Sequence, residues 1–315
     1  MEGRSNRHVS IVIRALNEAE HLPALYSGIL RQTRQPDQIV LVDSGSTDDT
    51  IAISQAHGAD VVHIAPEDFS FGRSLNVGCA AATGDVLVFV SAHVYPTDEN
   101  WLENLVEPFG HDDVVLSYGR QTGDHRTKFS ELQLLRQWFP EQSDPDQTTP
   151  FCNNANCAIR RSEWEMHPYD EELTGLEDLA WAEQALKRGG RIAYRADATI
   201  AHIHDEDFPR IRNRYRREAI AHRRIFDDQR LGALEAAALF VANVGRDYLA
   251  AGARGQLRRN VVDIPSFRAA QYLGTWEGFR SRGDVSSELK RRFYYPKGID
   301  LRSGRSGTAT TVRRS

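Results

Sequence analysis

The sequence predicts an α/β fold, an open and mostly parallel sheet flanked by helices, with a helical appendage at its C-terminal end. Three observations carry that expectation. Short β-branched runs recur at Val9 to Ile13, Gln38 to Val42, Ala59 to Ile64 and Val86 to Val90, with helix-patterned segments between them. The connections are short, which favours parallel strands joined by right-handed crossovers. The run at 86–90, opened by Gly84-Asp85 and followed by Pro96, is apolar throughout, as a central strand buried on both faces must be.

At 315 residues the chain can bury one large core and still carry an appendage. Its 40% apolar and 26% charged content is that of a globular protein, and a net charge of −5 disfavours nucleic acid as a partner. Cys79, Cys152 and Cys157 are odd in number and lack zinc spacing beyond one C-x4-C, so reduced thiols in a reducing compartment are expected. Met1 to His8 has no apolar signal-type region, and the longest apolar stretch, Ala236 to Val244, is about half the length a bilayer span needs. A cytoplasmic location follows as an expectation, with the inner membrane face as a place of peripheral contact.

Taken in order, the first strand runs into Arg14-Ala15-Leu16-Asn17-Glu18, and a helix follows with His21, Leu22, Leu25, Ile29 and Leu30 at helical spacing. Pro36-Asp37 breaks it. The second strand ends in Asp43-Ser44-Gly45-Ser46-Thr47-Asp48-Asp49-Thr50, where Ser46 or Thr47 reads as the N-cap of the next helix. Neither strand end carries the Gly-rich fingerprint of a dinucleotide or phosphate loop. In open α/β sheets ligands bind beyond the carboxyl ends of strands, so Ser91-Ala92-His93, after the central strand, is the first place to seek chemistry. An ordinary turn with His93 on the surface is the plain alternative.

The order of these motifs resembles the nucleotide-binding half of family 2 glycosyltransferases, which have the GT-A fold. Asn17-Glu18, the acidic stretch from Asp43, and Phe71-Gly72-Arg73-Ser74-Leu75-Asn76-Val77-Gly78 fall in the family's order over roughly residues 8 to 226. The resemblance implies a nucleotide-diphosphate sugar donor of UDP, dTDP or GDP type. It would lie against Leu16, Asn17, Glu18, Asp43, Ser44, Arg73, Asn76, Ser91 and Ala92, with Asp43 on the base or ribose. One departure is informative. The family carries Asp-x-Asp where this chain has Ser91-Ala92-His93. A hard Mg2+ prefers oxygen, whereas imidazole suits Mn2+ or softer ions. Three outcomes are open: His93 ligates the divalent cation (Mn2+ or Mg2+), the ion is held elsewhere, or metal is dispensable. Ligation by His93 is the expectation.

Trp101 to Phe109 has the pattern of an amphipathic helix, and Val114 to Gly119 of another strand. Residues 124–150 are polar, with an apolar cluster at Leu132, Leu134, Leu135, Trp138 and Phe139. They read as an insertion over the active face or as a solvated connector. Asn153, Asn154 and Asn156 supply donors and acceptors suited to a pocket wall, and the resemblance places Asn154 and Asn156 beside the donor sugar. A helix opens at Glu177-Asp178 and ends at Gly189-Gly190. Acids there complement a helix dipole; the resemblance implies more, with Asp178 as the general base and Glu177 beside the acceptor.

Strand-like segments at Arg191 to Tyr194 and Ala198 to Ile203 follow, and the second ends in His202-Ile203-His204, whose imidazoles share a face. In a chain lacking Asp-x-Asp, that pair is a metal or diphosphate candidate, His204 ahead of His202. Pro209 to Phe226 is a strongly basic helix, read as a solvated face, a phosphate grip through Arg214 and Arg217, or a contact with anionic lipid. Leu231 to Ala251 and Arg268 to Phe279 are further helices, suited to a homodimer or a membrane face. The expected organisation is a transferase domain at 1–228, a helical extension at 229–298 and a disordered tail at 299–315. The expected function is inverting transfer of a sugar to a hydroxyl of a glycan or polyprenyl-linked acceptor. A catalytically inactive nucleotide- or glycan-binding protein of the same fold is the alternative.

Overall fold

The computed structural model describes residues 7–281 and residue 294; the tail expected to be disordered, 299–315, lies outside them. The first half alternates strand and helix: β1 (Val9–Ala15), α1 (Leu22–Leu30), β2 (Gln38–Asp43), α2 (Thr50–Ala56), β3 (Asp60–His63), α3 (Phe71–Ala81) and β4 (Val86–Ser91). β1 lies between β2 and β4, parallel to both, with Ala15 opposite Asp43 and Arg14 opposite Ser91. β3 continues the parallel set beyond β2. The carboxyl ends of β1, β2 and β4 therefore meet at one edge.

The second half is mixed. It comprises β5 (Val94–Pro96), α4 (Trp101–Val106), β6 (Val114–Thr122), α5 (Phe129–Trp138), β7 (Asp144–Gln147), β8 (Asn156–Arg160), α6 (Arg161–Met166), α7 (Glu177–Lys187) and β9 (Arg191–His202). The sheet order is β3-β2-β1-β4-β8-β6-β9-β5, with β7 also on β9. β8 is antiparallel to β4 and β6, while β6 and β9 are parallel. The parallel pairing of the expected mostly parallel sheet is that of the first half. The excursion from β6 to β8 leaves from and returns to the same edge, so β8 pairs antiparallel and needs no crossover. That edge is the one where β1, β2 and β4 end, and β9 also finishes there. Residues 124–150 carry α5, which follows the carboxyl end of β6 at that edge, and β7, which pairs with Ile192 and Tyr194 toward the opposite end of β9.

Side-chain alternation along β1 sends Ile11 and Ile13 to one face with Leu22, Leu25, Trp101 and Phe109. Val12 goes to the other with Leu75, Phe89, Trp181 and Tyr194. Every residue from Val86 to Val90 is buried, and each such side chain stabilises the fold by about 1.5–3 kcal/mol. The two strand segments expected at 191–203 form one strand, β9, kept continuous by irregular pairing with β6 between Gly119 and Gln121.

Beyond the sheet stand α8 (Phe208–Ile225), α9 (Ala233–Ala253), α10 (Leu257–Asn260) and α11 (Asp263–Arg280). α11 packs closely along α8, because a Cβ at Gly274 or Gly278 would run into the backbone carbonyls of Arg212 or Arg216. A buried ion pair, Arg268 Nε to Asp247 at 2.8 Å, joins α11 to α9, and Ser130 of α5 donates to the same carboxylate at 2.7 Å. No helix among the described residues is long and apolar enough to cross a membrane.

Candidate active site

The loops after β1 and β2 are laced together by side chains that sequence reasoning placed elsewhere. Asn17 sits in the left-handed region (φ 55°), which Asn tolerates well, and its Oδ1 accepts from the Thr47 N–H at 2.8 Å. Ser46 Oγ accepts from the Asn17 N–H, and Thr50 Oγ1 from the Glu18 N–H. Ser46 and Thr47 are therefore loop struts and not the N-cap of α2, whose capping residue is Asp49. Asp43, buried at the end of β2, accepts from the Gly45 and Ser46 N–H groups and faces His63 Nδ1 at 3.5 Å. Ser44 is buried and donates its hydroxyl to the Ala15 carbonyl, while Leu16 is half-buried at the end of β1.

Two carboxylates stand at the start of α7. Leu176 is held left-handed (φ 56°), a conformation costing of order 1–3 kcal/mol for a branched side chain, and the turn it makes launches Glu177 and Asp178. Asp178 accepts from the Asn154 N–H at 3.0 Å and the Leu179 N–H at 2.8 Å. Burial, and then the neighbouring Glu177 charge, push its carboxyl up to about 7. Glu177 pairs with Arg14 at 3.2 Å. Arg14 was not anticipated, yet a cation closing an apolar strand must be paired, and that rule could have found it. It sits opposite Ser91 and one residue from Ala15, the partner of Asp43. An unbroken chain of contacts thus runs from Asp178 to the strand ends.

The histidines converge. His93 follows β4, His202 ends β9, and His204 lies just beyond; one ring nitrogen of each lies within 4.8 Å of the others. Their centroids are 5.1 Å (His93–His202), 5.9 Å (His93–His204) and 4.0 Å (His202–His204) apart. Each ring is anchored through Nδ1: His93 to Glu18 Oε1 at 2.9 Å, His202 to Gln121 Oε1 at 2.8 Å, His204 to Glu131 Oε1 at 2.7 Å. Acceptors on Nδ1 fix the tautomer and leave Nε2 as the nitrogen with a free lone pair. His202 Nε2 is buried with no hydrogen-bond partner, an orphan that a metal ion would satisfy. Burial holds His202 well below the usual imidazole range, with His204, His93 and Arg214 adding to the effect, so it stands neutral as a ligand must. Glu131 is raised by burial but held down at about 2 by Arg214 and His204 together. Gln121 and Glu131 were not anticipated; a Glu on the apolar face of α5 was the available signal.

Several expected donor contacts are placed differently. Asn76 is a clamp on the segment before α7: Nδ2 donates to the Tyr169 carbonyl and Glu171, and Oδ1 accepts from Trp164 Nε1 and the Tyr169 N–H, all at 2.9–3.0 Å. Asn156 is fully buried, bonded to Trp101 Nε1 and to the carbonyls of Arg120 and Ala198, which makes it a strut inside the sheet and not a pocket wall. Asn154 is buried behind the carboxylates and bonds both. Ala92 packs in the core, so only its backbone can face a ligand, while Ser91 is half-buried at the strand end. Arg73 is exposed and pairs with Glu171. Arg214 is neutralised by Glu131 and Glu206 at 2.9 and 2.7 Å, which corrects its reading as a phosphate grip. Arg217 stands 4.5 Å over the Phe71 ring, with Arg14 5.2 Å from it, and its buried Nε has no partner among the described residues.

Residues 10–165 match the family described as Glycosyl transferase family 2. The O-antigen chain rhamnosyltransferase WbaN of Salmonella anatum is 29% identical over 186 residues, 56% of this chain and 59% of that protein. The O-antigen chain rhamnosyltransferase RfbN of Salmonella typhimurium is 26% identical over 222 residues, 64% of this chain and 69% of that protein. Among solved structures, the mannosyltransferase PcManGT of Pyrobaculum calidifontis, in complex with GDP-Man and Mn2+, superposes with a TM-score of 0.60 at 16% identity over 88% of both chains. TarS of S. aureus in complex with UDP gives 0.51 at 17% identity over 84% of this chain and 90% of that one. At such identities the structural likeness establishes the fold alone. Sheet topology and structural likeness together give the chain a GT-A fold, and its residues 10–165 are similar to glycosyl transferase family 2.

Proposed function

We propose that the protein is an inverting glycosyltransferase that moves a sugar from a nucleotide-diphosphate donor to an acceptor hydroxyl in a single displacement. One observation carries the reading: a buried carboxylate with its pKa near 7, Asp178, is connected through Glu177 and Arg14 to strand ends that bear Asp43 and the histidine cluster. A sugar hydroxyl is a poor nucleophile. Asp178 takes its proton as the oxygen bonds to the anomeric carbon and the bond to the diphosphate breaks on the opposite face, a contribution of roughly 10²–10⁴-fold. Glu177, fixed by Arg14, keeps that carboxyl basic and borders the acceptor. Asp43 receives the nucleoside, and Arg217 faces developing phosphate charge.

His93, His202 and His204 would hold a divalent cation. When bound, such an ion neutralises charge building on the departing diphosphate. The solved mannosyltransferase with GDP-Man and Mn2+ supports both donor class and cation, and the O-antigen chain rhamnosyltransferase relatives support a growing glycan chain as acceptor. Exposed Leu234, Val241 and Leu249 on α9 and Val261 and Val262 beyond α10, beside Arg258 and Arg259, favour peripheral contact with an anionic membrane surface. The test is a donor panel with purified protein. Transfer lost in Asp178→Asn, with nucleotide affinity kept, supports the reading; nucleotide binding with no turnover from any donor supports the inactive binding protein.

A further inference from the structure

The ligand set at the histidine cluster differs in kind from a carboxylate pair, and its surroundings say which ions it suits. Three imidazoles from two segments, the end of β4 and the end of β9, are each turned by an acceptor on a separate element: Glu18 after β1, Gln121 on β6 and Glu131 on α5. These acceptors occupy Nδ1 and leave three Nε2 lone pairs, one of them buried and unpartnered. No carboxylate is among the three clustered residues. Glu18 and Glu131 are already bonded to the histidine rings, and Glu131 is further tied to Arg214 at 2.9 Å. Mg2+ demands oxygen ligands in near-octahedral geometry and sheds water reluctantly, so three nitrogens offer it little. Imidazole suits borderline transition ions, whose affinity for a given nitrogen site rises from Mn2+ to Co2+, with Zn2+ accepting three histidines and one open position.

We infer that this centre selects a nitrogen-preferring transition ion of the Zn2+ and Co2+ class and discriminates against Mg2+, with Glu131 as the positioning residue that fixes His204. The inference rests on the proposed function for its use but not for its test. Neutral imidazoles also leave the ion its full double charge toward an incoming diphosphate, where two carboxylates would cancel it. Glu131 adds a structural consequence. It follows Ser130, which bonds the buried Asp247–Arg268 pair, so the metal centre and the helical appendage are joined through two consecutive residues of α5.

The experiment uses the whole chain, stripped with chelator and free of nucleotide, titrated with Mg2+, Mn2+, Co2+ and Zn2+ by calorimetry. The visible absorption of Co2+ provides a second reading. One Co2+ or Zn2+ per chain is expected, each tighter than Mn2+, with no Mg2+ binding over the same range and with Co2+ bands of a nitrogen-rich site of four or five ligands. His202→Ala should abolish Co2+ binding. Glu131→Gln, which keeps shape and removes charge, should weaken it by about 10–100-fold, guarding against misfolding of the first variant. Mg2+ binding as tight as Co2+, no binding of any ion, or Co2+ binding untouched by both substitutions would overturn the inference. Because no sugar nucleotide is present, a failure to transfer sugar would remove the proposed function and leave this result standing.

Discussion

Lowering the pH should silence the enzyme along a limb set by Asp178. Its carboxyl is raised to about 7 by burial first and by Glu177 second, opposed by the Asn154 and Leu179 N–H groups and Arg14. A general base works only when deprotonated, so activity is present above that pKa and lost as pH falls through it. Between pH 8 and pH 5 the ionised fraction drops from about 0.9 to about 0.01, roughly a 90-fold loss of kcat/KM. Glu177→Gln removes the neighbouring charge but leaves the burial, so the limb should move to lower pH by part of the displacement. The assay is initial rate against pH at subsaturating acceptor. Acid also strips metal from histidines, so the series is repeated at tenfold higher metal, which moves a metal-loss limb and leaves an Asp178 limb in place. A limb near pH 4, or one that Glu177→Gln does not shift, would refute the assignment of Asp178 as base.

Asn76→Ala should cut transfer by loosening the segment that leads to α7, while nucleotide affinity in a fluorescence titration stays within about twofold, since this amide is bonded to Tyr169, Glu171 and Trp164. Arg268→Ala leaves Asp247 charged, buried and without its cation, and should cost about 3–5 kcal/mol in urea unfolding. Val241→Asp together with Leu249→Asp should reduce sedimentation with anionic vesicles and leave it unchanged with neutral ones. Loss of a dimer by light scattering in place of vesicle binding would reassign that face to a second copy of the chain.

What could be read in the sequence were those features written locally. Buried parallel strands announce themselves as β-branched runs, and so β1, β2 and β4 fall where expected, as does the helix opening at Glu177-Asp178. The H-x-H at the end of β9 is legible because an extended chain puts alternate side chains on one face, and the two rings do converge although β9 stops at His202. Other features depend on long-range pairing. β8 inserts antiparallel between β4 and β6, and Asn156, on that strand, bonds across to Trp101 and Ala198. No local pattern distinguishes such a strut from a pocket wall. Arg214 misled for the same reason: its partners Glu131 and Glu206 lie 83 and 8 residues away, and charge density in α8 alone suggested a free grip.

The histidine cluster gains meaning from what surrounds it. A single Asp-to-His exchange in a carboxylate site would leave a lone imidazole with neither a fixed tautomer nor companion ligands, and affinity would suffer on both counts. Here His93 stands with an acceptor for each ring, with two further histidines at the end of a neighbouring strand, and with an arginine that keeps Glu131 ionised beside His204. Burying His202 without a partner on Nε2 costs stability unless something binds there. A decayed site would relieve that cost by letting the ring turn to solvent or to a protein acceptor. The unpartnered Nε2, held in place by Gln121, argues for a metal centre and against the reading of an inactive binding protein.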